Sequence, residues 1–494
     1  MTEVRDATRL LLRDAELGTG RRADVRVLAG RIAEVAPSLA RRPGEEAVDC
    51  RGGLLLPGLA DHHLHLHALA AYRGSVPCGP PAVRERTGLA DALATADPDE
   101  GGWIRGVGYH ETVAGDLDAA ALDLLHPQRP VRVQHRSGAL WMLNSAAMRS
   151  VRLDSGDHPG IERDTDGSPT GRLWRADDWL RDRLPSARPP DLTAVGRDLA
   201  RYGVTAVTDA TPALAPDALA ALTDDLAHGR LPQHVLLLGA PLPGEPPGPL
   251  PAPRAAAPPL ALPPRGRSGL RPTAGPYKMV LADSGLPSLD DLVERVRAVH
   301  TAGRAVAVHA VSREALVLLL VALREAGTAP GDRIEHASVV PGELVGEIGA
   351  LGLRVVTQPG FLADRGDDYA AEVPAGEHAD LYRCRSFLAG GVRLALSSDA
   401  PYGPLDPWTV VAAAVRRTTP LGRVLSPSEV LTPAAALDAY LSPPGDPGGP
   451  PRRVAAGAVA DLVLFHTPRA AVLADPDAGA VRTTFLGREW PTVG

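Results

Sequence analysis

Four histidines crowd into Asp61-His62-His63-Leu64-His65-Leu66-His67, and the imidazole nitrogens they carry are donors for a transition metal. In an extended segment, residues two apart point the same way, so His63 and His65 can share a side. His65 and His67 have the same spacing, so periodicity leaves that register open. Further along lie Tyr277-Lys278-Met279, Val308-His309-Ala310, Ile334-Glu335-His336-Ala337 and Ser397-Ser398-Asp399-Ala400-Pro401. Any one of these is more often a core or surface residue than a ligand. Together, one such histidine pair, Lys278, His309, His336 and Asp399 make a set of six whose imidazoles and carboxylate suit Zn²⁺, Mn²⁺ or Fe²⁺.

What lends the set weight is its position relative to strands. Eight apolar runs occur in the middle of the chain: Leu59–His67, Val204–Ala210, His234–Ala240, Tyr277–Asp283, Ala305–Ala310, Arg333–Ala337, Arg354–Gln358 and Arg393–Ser398. Helices separate them, clearest over residues following Ser288 and over Arg313 to Ala326, which stops at Gly327. Alternating strands and helices with near-continuous apolar strands imply an α/β fold with a parallel sheet covered on both faces. Eight such units favour a closed (β/α)8, TIM-like barrel, whose strand C-termini converge on one face. The six residues sit at the ends of the first, fourth, fifth, sixth and eighth runs. The expected organisation is a small β-sandwich built from residues 1–57 and 441–494, around a barrel at 58–440. Residues of about 73–190 form an inserted sub-domain. Residues 241–276 hold thirteen prolines and are read as a loop or linker.

The chain has 494 residues, 44% of them hydrophobic and 22% charged, so it can bury a large core. A net charge of -7 gives no global attraction to nucleic acid. No run approaches a membrane span, and the first residues lack the features of a secretory signal. Cys50, Cys78 and Cys384 lie far apart and suit a reducing cytoplasm rather than a disulfide framework. The expected partner is a small-molecule substrate, without nucleic acid or membrane; a homodimer stays open.

With these residues in view, the chain resembles the amidohydrolase superfamily, and within it amidohydrolase family 3, the group that includes N-substituted formamide deformylases. Pro57-Gly58-Leu59-Ala60-Asp61-His62-His63-Leu64-His65 looks like the strand-one motif and sets the pair at His63 and His65. Asp164-Thr165-Asp166-Gly167-Ser168-Pro169-Thr170-Gly171, Gly203 to Ala210, Arg333 to Ala337, Ser398-Asp399-Ala400-Pro401 and Gly457 to Leu464 support it. The resemblance implies that His63 and His65 bind one metal with Asp399. His309 and His336 would bind a second, and Lys278, carboxylated on its amine, would bridge them. A free ammonium cannot ligate a cation, so that role needs the modification. Departures from the family pattern fall at Ser312-Arg313, Ser398, Asp283 and Ala139, with His135 a candidate to compensate the last.

The activity implied is hydrolysis of an amide or N-formyl C–N bond, with Asp399 as proton shuttle and His309 or His336 steadying an oxyanion if one metal is present. Two alternatives stand beside it. The same site could run deamination, ester cleavage, elimination or isomerisation. A non-catalytic binding protein on the same barrel is the more remote one. Tyr109, His110, Trp141 and Asn144 are read as insertion core rather than lid. Phe361, Tyr402 and Trp408 are even candidates for substrate contact.

Overall fold

A computed structural model describes residues 3–6, 9–18, 20–185, 189–242, 270–283 and 285–487, with side chains from residue 9 onward except that of residue 178. The loop expected at 241–276 therefore lies largely outside the described residues. Its last part departs from expectation. Thr273–Ala274 is a short strand pairing in parallel with Leu236 and Leu237, because the open edge there offers unpaired backbone groups.

All eight expected strands are present, most of them shorter at the C-terminal end. They are β1 (Leu59–Leu64), β2 (Val204–Asp209), β3 (His234–Leu237), β4 (Tyr277–Val280), β5 (Val306–Ala310), β6 (Arg333–His336), β7 (Arg354–Thr357) and β8 (Arg393–Leu396). Every residue of β1 and of β2 is buried, as parallel strands covered on both faces require. The strands form two parallel sheets: β1, β2 and β3 with the short 273–274 strand, and β4 to β8 in sequence order. Backbone hydrogen bonds join the sheets at both edges. The Lys278 N–H donates to the Leu238 carbonyl (3.1 Å), and the Asp399 N–H donates to that of His63 (2.8 Å).

The first run was expected to continue as strand to His67. Instead the strand stops at Leu64, and His67 lies in the helix Leu66–Arg73. Asp209, at the end of β2, makes the turn: its carboxylate accepts from the Leu66 N–H (2.9 Å) and the Thr211 N–H (3.0 Å). The expected helices appear as α1 (Leu289–Thr301) and α2 (Arg313–Ala326). Each has a serine N-cap, Ser288 accepting from the Asp291 N–H and Ser312 from the Ala315 N–H, both at 3.2 Å, worth about 1 kcal/mol apiece. Leu292, Val293, Val296 and Val299 on α1 and Leu316, Leu319, Leu320 and Leu323 on α2 are the buried stripes. Each fully buried leucine contributes about 1.5–3 kcal/mol.

The two ends of the chain meet in one eight-stranded sheet. Arg9–Leu17 pairs with Arg22–Leu28, Glu46–Asp49 and Leu54–Pro57, and the last links to Leu462–Phe465 and then Val481–Leu486. Leu10, Leu12, Val25, Val27, Leu464 and Phe485 belong to its core.

Residues His67–Pro190 form a separate compact unit around a six-stranded sheet. Tyr109 and Trp141 are buried in its two apolar clusters, and Asn144 caps the helix Ser145–Val151, as expected of core residues. No described helix is long and apolar enough to cross a membrane.

Candidate metal centre

The strand ends bring all six sequence-predicted residues to one neighbourhood. His63 and His65 project the same way from the end of β1, ring centroids 5.5 Å apart. His62, on the opposite side of the strand, is buried with its Nε2 3.1 Å from the Ser442 Oγ. The His63 ring is 4.7 Å from His336, which is 4.4 Å from His309. Lys278, buried in β4, places its Nζ 3.4 Å from His63 Nε2. Asp399 Oδ1 lies 3.3 Å from His65 Nε2 and 3.5 Å from His63 Nε2, and Oδ2 lies 3.7 Å from His336 Nδ1.

Backbone conformation explains how β6 delivers two functional side chains. Period-two alternation puts Arg333 and Glu335 on one side, and His336 should face away with Ile334. His336 instead has φ +72°, followed by Ala337 at +48°, and this left-handed step turns its ring back towards His63. Asp399 also has a positive φ, +54°. Non-glycine residues in this region cost of order 1–3 kcal/mol and persist only where the surroundings hold them. Here Ser398 Oγ accepts from the Ala400 N–H (3.1 Å), and buried Asp61 accepts from the His63 and Ser398 N–H groups (both 3.2 Å). The serine at 398 thus braces the turn that carries Asp399. Burial pushes the Asp61 carboxyl up to about 7.

Four residues of this neighbourhood go beyond the sequence-predicted set. Glu335, fully buried, binds His63 Nδ1 with one oxygen and Arg333 Nε with the other. Gln358 Oε1 lies 2.9 Å from His336 Nδ1, while its Nε2 faces the Ser397 Oγ (2.9 Å) and the Val356 carbonyl (3.4 Å). That acceptor carbonyl orients the amide, so His336 Nδ1–H donates to Gln358. Thr211 Oγ1 is 3.2 Å from His65 Nδ1, and Asp61 is the fourth. Glu335 stood beside His336 in the sequence and Gln358 ended the seventh run. A carboxylate inside an apolar strand was the available signal.

The consequence is a tautomer pattern. His63 and His336 direct Nδ1–H outward to Glu335 and Gln358, which leaves Nε2 lone pairs for the centre, the arrangement that metal-binding histidines adopt. Burial, first, and then neighbouring cationic groups hold both imidazoles well below their usual range, hence neutral. Burial also lowers Lys278 to about 8, which raises its share of neutral amine above that of an ordinary lysine. Asp399 Oδ1 is buried without a hydrogen-bond partner although two imidazole nitrogens stand close by. An acceptor oxygen facing acceptor nitrogens is stabilised by a shared cation, and donor separations of 3.3–3.5 Å match the edge of about 3.4 Å around a tetrahedral Zn²⁺. His63, His336 and Asp399 are close enough to hold one ion. The residues fit a divalent metal.

Of the aromatic candidates, Tyr402 packs its ring 5.5 Å from His65. Phe361 is buried against Tyr382, and Trp408 is buried with its indole N–H donated to the Tyr202 carbonyl (3.1 Å). Trp408 therefore supports the fold rather than facing a substrate. Asp283 and Ser312, both departures from the family pattern, hydrogen-bond to each other.

The profile of the Amidohydrolase family matches residues 46–489. The chain is 26% identical over 489 residues to N-substituted formamide deformylase of Arthrobacter pascens, covering 86% of each chain. Among solved structures it is similar to an uncharacterized metal-dependent hydrolase from Pyrococcus horikoshii OT3, with a TM-score of 0.71 and 18% identity, over 96% of this chain and 99% of that one. A second, from Pyrococcus furiosus, gives 0.67 and 20%, over 95% and 100%. At these identities the structural matches speak to the fold alone.

Proposed function

Because this chain belongs to the amidohydrolase family, metal-dependent hydrolases of C–N bonds other than peptide bonds, we propose that it cleaves an amide or N-formyl bond of a small molecule at the centre formed by His63, His65, Lys278, His309, His336 and Asp399. The observation that carries the reading is the buried, unpartnered Asp399 Oδ1 beside two imidazole Nε2 atoms. The N-formyl preference rests on the likeness to the deformylase. The two parallel sheets are read as halves of one (β/α)8 barrel, supported by the backbone hydrogen bonds at both their edges. In the same reading, residues 1–57 and 441–494 form a sandwich and 73–190 an insertion.

The metal, Zn²⁺ by preference, would be held by His63, His65 and Asp399, with His309 and His336 holding a second and a carboxylated Lys278 between them. A divalent ion there supplies Lewis acidity, lowering the pKa of water towards ~7 and polarising the scissile carbonyl. Asp399 does the proton work. Its carboxylate accepts a proton from the attacking water and delivers it to the departing nitrogen, general base and then general acid. Its positive φ and the Ser398 brace fix that carboxylate against the β1 end. Glu335 and Gln358 hold the neutral tautomers of His63 and His336. Should one metal suffice, His309 or His336 is left to steady the tetrahedral oxyanion.

The test is a panel of N-substituted formamides and simple amides, with formate or amine release measured before and after chelation. Release that is lost on chelation, restored by Zn²⁺ and absent in Asp399→Asn supports the reading. Turnover of esters or amino-heterocycles with no amide hydrolysis would move the same centre to another reaction.

A further inference from the structure

A second group of ligating side chains lies wholly within the unit His67–Pro190. The strands Ile104–Tyr109 and Val131–His135 run parallel, with Tyr109 opposite His135. His110 and Glu111 follow directly on the first strand and His135 closes the second, so the register brings the three together. Glu111 Oε2 is 3.2 Å from His135 Nε2 and 3.6 Å from His110 Nε2. One donor atom from each of the three lies within 4.8 Å of the others. An ion about 2.1 Å from each donor in tetrahedral geometry separates donors by about 3.4 Å, between the two measured spacings.

The rings are also oriented as ligands need. His110 Nδ1 is 2.9 Å from Thr112 Oγ1, and His135 Nδ1 is 2.7 Å from Ser137 Oγ. Each hydroxyl stands two residues after its histidine, so His-x-Thr and His-x-Ser repeat one device. A Nδ1–H donated to that hydroxyl leaves the Nε2 lone pair facing Glu111, the usual second shell of a metal-bound histidine. The backbone N–H groups of Thr112 (3.4 Å) and Ser137 (3.1 Å) can alternatively donate to Nδ1, with Nε2–H then donated to Glu111. The imidazoles are 12% and 14% exposed and the carboxylate 43%, which holds the rings still and leaves the carboxylate reachable.

We propose that His110, Glu111 and His135 form a second, independent binding site for a divalent cation of the zinc type, with three protein ligands and a fourth position for water. Two nitrogens and one oxygen, without thiolate, select Zn²⁺ or Cu²⁺ over soft ions and over Ca²⁺ or Mg²⁺. A bound ion would tie the start of the short helix Glu111–Ala114 to the end of the neighbouring strand.

The test uses the full-length protein, stripped with chelator, reloaded with Zn²⁺ alone and desalted. Zinc per chain is counted by plasma mass spectrometry for wild type, Glu111→Gln and the double variant His110→Gln/His135→Gln. The expected result is one zinc fewer per chain in both variants, with unchanged far-ultraviolet circular dichroism. Crystals of the wild-type protein supply a measurement independent of variant folding: anomalous density at the zinc edge should lie between the three side chains. Equal zinc in all three proteins, or a map without density there, overturns the proposal.

Discussion

Glu335→Gln tests the tautomer argument with one atom changed. Glu335 and Arg333 are both fully buried, and the carboxylate serves two donors at once, His63 Nδ1–H and Arg333 Nε–H. A glutamine has one acceptor oxygen and one amide nitrogen. If the oxygen faces Arg333, the amide N–H faces His63 Nδ1 and forces it to accept. The ring proton then moves to Nε2 and occupies the lone pair meant for the centre. If the oxygen faces His63, the amide N–H meets the Arg333 N–H, and a buried guanidinium loses its counter-charge. Outer-shell changes of this kind weaken metal binding about 10–100-fold, or about 1.4–2.8 kcal/mol. Breaking a buried ion pair from one side costs about 3–5 kcal/mol of stability. Zinc affinity is measured by competition with a chromophoric chelator, and stability by urea unfolding of the metal-free protein. Both should fall. Zinc affinity within two-fold of wild type, with stability also unchanged, would refute the claim that Glu335 holds both His63 and Arg333.

Asp399→Asn should lower turnover ~10²–10⁴-fold in steady-state assays while melting like wild type; retained activity would dismiss the proton shuttle. Lys278→Met should leave one zinc fewer per chain than wild type, and an unchanged count would remove lysine from the centre. Burial raises Cys50 and Cys78 to about 12 and Cys384 to about 11, so at pH 8 all three are neutral thiols. A thiol reagent should titrate none in the native protein and three after denaturation. Arg26 is 2% exposed and bonds Glu45 at 2.6 Å, so Arg26→Met strands a buried carboxylate and should cost about 3–5 kcal/mol by chemical unfolding.

The strands and most of the candidate site were legible because both rest on local patterns. Apolar runs of five to nine residues bounded by helices mark buried parallel strands, and ionisable residues at their ends stand out against them. His63 and His65 follow from period two once the register is known. His336 does not: simple alternation would turn it away from Glu335, and only the left-handed backbone at +72° brings both to His63. Such a conformation is imposed by tertiary contacts and leaves no mark in composition. His67 was lost to the strand because Asp209, far away in sequence, accepts from the Leu66 N–H and starts a helix there. Glu335 and Gln358 went unassigned for a related reason. Their roles depend on which ring nitrogen they face, a property of packing between strands.

The proposed chemistry requires that the strand-end residues hold a divalent metal. Its most direct test is an anomalous difference map at the zinc edge, from crystals of protein purified without chelators. Density enclosed by His63, His65, His309, His336 and Asp399 is the expected result. A map empty there, from protein whose activity survives exhaustive chelation, would contradict it.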